Sequence, residues 1–181
     1  MVNAINVNKD YAVQNINLPD GLSVRPSRAS DKPFLEKLHH SLRQDLQLID
    51  AEQDMIESII ELQLKAQTQG YGNQFPNAMY FVIEKHHEPI GKATIDFGHN
   101  EVRLVDLALI PAARGKGLGA AVIQALQQAA AMVAAPMTLS VLQSNIPAKA
   151  LYQKLGFITS HVELPYELMV WYPPAMKVIR A

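Results

Sequence analysis

The segment ARGKGLG, residues 113–119, places three glycines and two cationic side chains between an apolar run and an alanine-rich stretch. A turn that leads from a strand into a helix leaves backbone N–H groups without partners, and the helix dipole there favours negative charge. Glycine lets the backbone come close to a ligand and adopt conformations that other residues avoid. The segment therefore predicts a binding site for phosphate groups, with a ligand-free tight turn as the alternative.

Two common phosphate-binding patterns can be compared with this segment. A nucleoside triphosphate loop needs GxxxxGK[ST], whereas here the lysine stands between glycines and no serine or threonine follows. Gly115, Gly117 and Ala120 do fit the G-x-G-x-x-G/A pattern of dinucleotide sites. That pattern also requires an acid about 20 residues later, and no Asp or Glu stands between Leu107 and His161. These observations favour a different, strongly anionic ligand beside a strand and over a helix N-terminus.

The elements that would hold this turn follow from hydrophobic periodicity and from helix and turn signals. A first strand covers LSVRP, residues 22–26, and a helix with Ser30 as its N-cap follows. A second helix is predicted from Ala51 to about Gln69, ended by Gly70. The remaining predicted elements are a three-stranded antiparallel meander over 78–85, 89–97 and 101–110, a helix over 119–133, a strand over 137–142, a helix over 144–156, and two final strands over 156–164 and 166–172.

Composition limits the classes of protein and of chemistry. The chain has 181 residues, of which 49% are apolar and 18% charged, with a net charge of −1. These values are typical of a globular protein and do not favour nucleic acid as a partner. Cysteine is absent from the sequence, which excludes disulfides and thiol nucleophiles. The histidine pairs at 39–40 and 86–87 lack the spacing of metal ligands, so no metal is expected.

The N-terminal residues 1–20 are polar and rich in asparagine, without the apolar core of a signal peptide. They are expected to form a tail or an edge segment, and residues 21–181 a single domain. No apolar run reaches the roughly 18 residues that a membrane-spanning helix needs. The expected location is therefore the cytoplasm, without a membrane partner.

Three segments of the chain resemble a known family. LALIPAARGKGLGAAVIQAL resembles the acyl-coenzyme A signature of the GNAT superfamily of N-acetyltransferases, in which an R/Q-x-x-G-x-G/A turn follows a strand. NIPAKALYQKLGF is similar to the second signature of that family, and LSVRPSRASDKPFLEKL to its opening strand and helix. The resemblance runs from about Leu22 to Tyr172. The matching positions are Arg114, Gly117 and Gly119 in the first signature, and Asn145, Ala148, Tyr152, Gly156 and Phe157 in the second.

The resemblance implies an α/β fold, with a mixed, mostly antiparallel and splayed sheet and helices on both faces. It also implies acetyl-coenzyme A as the acyl donor. The glycine turn would hold its pyrophosphate, and the preceding strand, diverging from its neighbour, would pair with its pantetheine arm. The residues expected to bind the donor are Leu107, Ala108, Leu109, Arg114, Gly115, Lys116, Gly117, Leu118, Gly119, Asn145 and Ala148.

A proton donor near sulfur would help the thiolate leave in such a reaction, and Tyr152 is the candidate. Tyr152 lies four residues after Ala148 and seven after Asn145, so on a helix the three share one face. That common face suits residues that line a ligand. The alternative is that the Tyr152 ring packs in the core with its hydroxyl at the edge.

The acceptor amine would be protonated at neutral pH, because alkylamines have a pKa of about 10. Asp106 stands inside the apolar run LVDLALI, where an unpaired acid is costly to bury. It could be the general base, bind the cation of the substrate, or form a salt bridge with Arg103 or Lys92. Water molecules could also take the proton, and Glu101 and Glu84 are secondary candidates.

By this resemblance the protein transfers acetyl from acetyl-coenzyme A directly to a primary amine in a ternary complex. The acceptor is expected to be a small-molecule amine or a peptide N-terminus, and the protein a possible homodimer. Two alternatives stay open: an acyltransferase that uses another acyl-coenzyme A, and a regulatory module that binds coenzyme A without catalysis.

Overall fold

A computed structural model of the protein describes residues 17–42, 62, 65–66, 69–70 and 72–177. The strands of this part of the chain are β1 (Leu22–Pro26), β2 (Ala78–Lys85), β3 (Glu88–Phe97), β4 (Val102–Leu109), β5 (Met137–Leu142), β6 (Ile158–Glu163) and β7 (Tyr166–Trp171). Its helices are α1 (Lys32–Leu42), α2 (Leu118–Met132), α3 (Ile146–Lys154) and the short α4 (Pro174–Lys177). All of these except α4 were predicted from the sequence, and their predicted bounds lie within two residues of those in the structure.

The strands form one sheet in the order β1-β2-β3-β4-β5-β7-β6. Every neighbouring pair is antiparallel except β4 and β5, which run parallel. Parallel neighbours need a crossover connection, and the glycine turn with α2 supplies it. The predicted meander of β2, β3 and β4 and the mixed, mostly antiparallel sheet are confirmed.

The parallel strands β4 and β5 separate soon after they begin. Their pairing is limited to residues 102–104 of β4 with 137–139 of β5, although β4 continues to Leu109 and β5 to Leu142. The splay expected between these strands is therefore confirmed. It leaves one backbone edge of β4, from Val105 onward, without a strand partner.

Packing of α2 against the sheet holds its N-terminus near the end of β4. Val122, Ile123 and Leu126 lie on one face of α2 at helical spacing, and each is at most 2% exposed. This face packs against β4 and β5, while α1 packs on β3 and has Leu38 fully buried. Burial of such side chains contributes about 1.5–3 kcal/mol each, so the position of α2 relative to the strands is firmly determined.

The predicted N-cap of the first helix was wrong. Ser30 lies exposed within a short 3₁₀ turn, Ala29–Asp31, that precedes α1. The carboxylate of Asp31 instead accepts from the backbone N–H of Arg28 at 2.7 Å and from both terminal nitrogens of Arg25 at 2.8 Å. A charged acceptor held by a guanidinium forms stronger bonds than a serine hydroxyl, which explains why the turn closes on Asp31.

This cluster predicts an acid-sensitive component of stability. The Arg25 guanidinium lowers the pKa of Asp31 from 3.8 to about 2. Because the folded-state pKa is depressed, the stabilisation is complete above about pH 4 and is lost as the pH falls toward 2. We expect Asp31→Asn to lower the free energy of unfolding by about 2 kcal/mol at pH 7. Urea titrations at pH 7 and pH 3 measure how far the free energy of unfolding falls between these pH values. The fall should be smaller for Asp31→Asn than for the native chain, and equal falls would contradict the prediction.

The predicted second helix, residues 51–69, lies mostly outside the described residues. Gly70 was predicted to end it, and this was wrong. Residues 70 and 72–74 are helical, and Gly70 is not among the glycines with positive φ. Glycine tolerates a right-handed helix at a cost of about 1 kcal/mol, so it need not terminate one. Within the described ranges, no helix has the length and apolar character needed to cross a membrane.

Candidate active site

The glycine turn presents backbone N–H groups to solvent. Gly115 and Gly117 have φ of 70° and 76°, left-handed values that residues with side chains rarely adopt. Gly117 is the N-cap of α2, whose first hydrogen bond runs from the N–H of Ala121 to the carbonyl of Gly117. The N–H groups of residues 118–120 consequently have no acceptor within the helix. Residues 114–117 are exposed, so an anion can reach this turn.

The left-handed conformation of Gly117 predicts a contrast between two glycines of the turn. Alanine at position 117 would be strained, at a cost of about 1 kcal/mol. At Gly119, which is helical, a Cβ would lie 3.7 Å from Leu109 Cδ1, an ordinary contact. We expect Gly117→Ala to lower the free energy of unfolding and Gly119→Ala to leave it unchanged or raise it. Paired denaturant titrations measure both, and equal destabilisation would contradict the assigned geometry.

The side chain of Arg114 connects the turn to the end of β4. Its Nε donates to the carbonyl of Leu109 at 2.9 Å, and the residue is exposed. The bond fixes the direction in which the chain leaves the strand. The two terminal nitrogens of the guanidinium remain available beside the turn for an anion.

The strand residues predicted to bind the pantetheine arm lie in the splayed part of β4. On one side, Leu107 pairs with Ala93 and Leu109 with Gly91 of β3. On the other side, the pairing with β5 has already ended. The backbone groups of Leu107, Ala108 and Leu109 that face β5 can therefore bond to an extended ligand.

A β-bulge in β4 interrupts the strand where the splay begins. Thr94 pairs with Asp106 and the next residue of β3, Ile95, pairs with Leu104, so Val105 is the extra residue. The bulge breaks the alternation of the strand, and both Val105 and Asp106 line one cleft. Bulges of this kind redirect side chains, which the sequence pattern alone did not reveal.

The cleft has a volume of about 790 Å³ and extends from the splayed strands to the hairpin of β6 and β7. It brings together the predicted residues Asp106, Asn145 and Tyr152. The secondary candidates Glu84 and Glu101 do not line it. Among the described residues no cluster of three or more His, Asp or Glu side chains has the arrangement of a metal site.

Asp106 is paired with a cation of the neighbouring strand. Lys92 Nζ lies 2.9 Å from Asp106 Oδ2, and the two side chains are 16% and 20% exposed. The angle of this contact departs from that of a hydrogen bond, so the pair is ionic in character. Of the two partners predicted for a salt bridge, Lys92 forms it and Arg103 does not.

Tyr152 lies partly buried on α3. Its ring packs on Phe157 with centroids 6.0 Å apart, and the residue also lines the cleft. Burial raises the pKa of the Tyr152 phenol, and the negative charge of Asp106 raises it further. The phenol therefore keeps its proton throughout the neutral range. The structure combines the two alternatives from the sequence: one part of the ring packs, and the side chain also reaches the cleft.

Asn145 and Ala148 begin α3 together. Asn145 is the N-cap, and its Oδ1 accepts from the N–H of Ala148 at 3.3 Å. One acceptor of the amide is therefore occupied within the protein, while its NH₂ group has two donors for a ligand. Pro147 lies in the first turn and Gly156 follows the helix with φ of 88°, both as predicted.

Two residues of the cleft had no assigned site role in the sequence. Arg103 and Phe75 both line it, with the guanidinium 5.9 Å from the ring centroid. Arg103 also donates to the Ser140 hydroxyl at 2.6 Å. These residues come from different elements, so no local spacing could have connected them. The sequence signal that could have indicated Arg103 as a site residue was its position as a cation within an apolar strand.

The sequence matches the family described as Acetyltransferase (GNAT) family over residues 35–157. No curated protein sequence matches the chain. Solved structures match across most of its length. A PaiA N-acetyltransferase from Thermoplasma acidophilum, in complex with coenzyme A, has a TM-score of 0.63 and 17% identity, covering 83% of this chain and 98% of its own.

Two further structures support the same fold. An acetyltransferase from Thermus thermophilus has a TM-score of 0.62 and 22% identity, covering 86% of this chain and 99% of its own. The ribosomal-protein-S18-alanine N-acetyltransferase from Escherichia coli has a TM-score of 0.57 and 17% identity, covering 83% and 93%. The family match covers more than half of the chain and includes both the glycine turn and Tyr152, so this chain belongs to the GNAT acetyltransferase family.

Proposed function

We propose that the protein transfers an acetyl group from acetyl-coenzyme A to a primary amine by direct attack in a ternary complex. The observation that supports this most strongly is the arrangement along β4. One backbone edge of the strand is unpaired from Val105 onward, the strand ends at a glycine turn with free N–H groups, and it borders the cleft that contains Tyr152. Membership of the GNAT acetyltransferase family fits the same arrangement.

The residues of the turn and the strand suit coenzyme A. The N–H groups of residues 115–119 would hold the pyrophosphate, with the positive end of the α2 dipole and Arg114 beside them. The free edge of β4 and the NH₂ group of Asn145 would bind the amides of the pantetheine arm. The donor supplies an acyl group activated as a thioester. Coenzyme A is present in the structure of the Thermoplasma acidophilum protein, which has the same fold.

Tyr152 would donate the proton that the leaving sulfur requires. Its raised pKa keeps the phenol protonated at neutral pH, as an acid for this step must be. The amine nitrogen forms the new bond to the acetyl carbon, and the bond from that carbon to sulfur breaks. The sequence contains no cysteine, so it offers no thiol for an acyl-enzyme intermediate.

Asp106 would receive the proton that the amine loses, directly or through water. It lines the same cleft as Tyr152, and its negative charge raises the pKa of the Tyr152 phenol. The ion pair with Lys92 keeps the carboxylate in place on the bulge of β4. A proton acceptor in this position contributes to the rate, so its removal should slow the transfer.

This role predicts the effect of Asp106→Asn on turnover. The substitution removes the carboxylate, so kcat/KM at pH 7 should fall about 100-fold. Lys92→Met is the matched control, because it breaks the ion pair but keeps the carboxylate, and it should lose far less of kcat/KM. Native kcat/KM in Asp106→Asn would exclude the residue as the proton acceptor.

The proposed function is tested by incubating the protein with acetyl-coenzyme A and a panel of amines and peptides, and by measuring free thiol together with acetylated product. Equal amounts of thiol and N-acetyl product support it. Replacing the donor by propionyl- or succinyl-coenzyme A tests the first alternative. Binding of coenzyme A by calorimetry, without turnover of any amine and any donor, would identify a regulatory module instead.

A further inference from the structure

Arg103 lies at the start of β4, within the three residues of that strand that pair with β5. Arg103 pairs with Thr138, and the strands diverge one residue later. Its side chain lines the same cleft as Asp106 and Tyr152. The glycine turn lies beyond the opposite end of β4, about 20 Å away at 3.3 Å per residue. Arg103 is therefore too far from the turn to contact a pyrophosphate bound there.

Among the described residues, the groups in direct contact with the Arg103 guanidinium are uncharged. It donates to the Ser140 hydroxyl at 2.6 Å and to the Thr138 hydroxyl at 3.4 Å, and it lies over the ring of Phe75. Its Nε is buried and has no hydrogen-bond partner. Among the described residues no carboxylate lies within 4.0 Å of it. Glu101 lies beyond this shell: the Thr138 hydroxyl donates to it at 2.9 Å, and its negative charge raises the pKa of Arg103.

Three other cationic side chains that contact the sheet are each paired directly with a carboxylate. Arg25 contacts two carboxylates, at 2.6 and 2.8 Å. Lys149 lies 2.7 Å from Glu167, and Lys92 contacts Asp106. Arg103 is half-buried, and desolvation of its charged form lowers its pKa against the opposing effect of the Glu101 charge. A purely structural link between β4 and β5 would not need a charge, since a neutral side chain could bond to the same hydroxyls.

We propose that Arg103 binds a carboxylate of the acceptor, so that the substrate of this enzyme is a small amine that also carries a carboxylate group. The proposal rests on the function proposed above. A guanidinium presents N–H groups in a planar fork that matches the two oxygens of a carboxylate. Each terminal nitrogen carries a second N–H besides the one bonded to Thr138 or Ser140, and these supply such donors, while the carboxylate would provide a direct counter-charge.

The charges of the cleft suit a zwitterion. Arg103 and Asp106 are three residues apart on β4, which separates their Cα atoms by about 10 Å. The bulge at Val105 lets both side chains line the same cleft despite their odd spacing. The acceptor would place its carboxylate at Arg103 and its amine near Asp106 and Tyr152. The cleft volume of about 790 Å³ lies in the range of small-molecule sites.

The first test needs no variant. Each of a series of α- and ω-amino acids, β-alanine and 4-aminobutyrate among them, is compared with its own carboxamide as acceptor. For the best substrate we expect the carboxylate to be preferred about 100-fold in kcat/KM, because a site built for a charged group rejects the analogue that lacks it. A carboxamide that reacts as well as its acid would overturn the proposal.

The second test assigns the preference to Arg103. Arg103→Gln should remove the difference between acid and carboxamide, chiefly by raising KM for the acid. Arg103→Lys should recover only part of the preference, since an ammonium lacks the fork. A preference that survives in Arg103→Gln would show that another group binds the carboxylate.

Failure of this proposal differs from failure of the proposed function. If coenzyme A does not bind in calorimetry, the proposed function is wrong and this inference with it. If coenzyme A binds, the N-acetylated product acid and its carboxamide are titrated into the coenzyme A-loaded protein, independently of turnover. Tighter binding of the acid supports the role of Arg103, and equal binding refutes it even where acetyl transfer itself is established.

Discussion

Replacing Tyr152 by phenylalanine is expected to lower kcat about 100-fold and to leave the dissociation constant of coenzyme A unchanged. The substitution removes the phenolic proton and keeps the ring that packs on Phe157. General acid catalysis contributes roughly 10²–10⁴-fold, so loss of the donor should appear in kcat. The raised pKa of Tyr152 adds a second expectation, since burial should let the phenol keep its proton, and the enzyme its activity, to a higher pH than an ordinary tyrosine would allow.

The measurement combines steady-state kinetics with calorimetric binding of coenzyme A to both proteins. Tyr80→Phe is a suitable control, because Tyr80 is a partly exposed residue of β2 that does not line the cleft. The control should retain native kcat. If Tyr152→Phe turns over at the native rate, the proton comes from elsewhere and Tyr152 is only a packing residue.

Gly91→Ala is expected to lower the free energy of unfolding by about 3 kcal/mol and to weaken coenzyme A binding at least tenfold. Gly91 lies in β3 opposite Leu109 of β4. A Cβ there would overlap the backbone oxygen of Ala108 and would lie 2.6 Å from Leu109 Cδ2. Backbone atoms cannot move aside as a flexible side chain can, so β4 itself must shift. That shift would displace the end of the strand that leads into the glycine turn.

Gly72→Ala is the matched control for this effect. Gly72 is helical and exposed, and apart from its own helix no described residue has an atom within 4 Å of the position of its Cβ. Alanine favours a helix over glycine by about 1 kcal/mol, so the control should be neutral or stabilising. Urea titrations measure the stability, and calorimetry measures the affinity for coenzyme A. Native stability in Gly91→Ala would show that the two strands are not held as closely as their pairing requires.

The elements of the fold could be predicted well because their signals are local. The strands over 78–85 and 137–142 were predicted with the bounds that the structure has. Alternation along a strand and the 3.6-residue period of a helix depend on neighbouring residues alone. The wrong predictions concerned helix ends. Ser30 and Gly70 are residues that can cap or end a helix, but their neighbours decide whether they do.

The side-chain pairings of the site could not be predicted, because residues distant in sequence decide them. Asp106 had several possible roles, and only the register of β3 against β4 selected Lys92 as its ion-pair partner. The bulge at Val105, which turns Asp106 toward the cleft, has no signature in the strand itself. The uncharged contacts of Arg103 among the described residues also became visible only once Ser140 and Phe75 were placed beside it.

The sequence by itself determined the glycine turn, the helix that follows it and the resemblance to the GNAT family. A turn and the first residues of a helix depend on backbone conformations that a few adjacent residues dictate. Only the tertiary structure decided which side chains share the cleft and which charges are neutralised there. Those contacts join β3, β4, β5, α3 and the hairpin of β6 and β7, so they exist only after the sheet has assembled and its two parallel strands have separated.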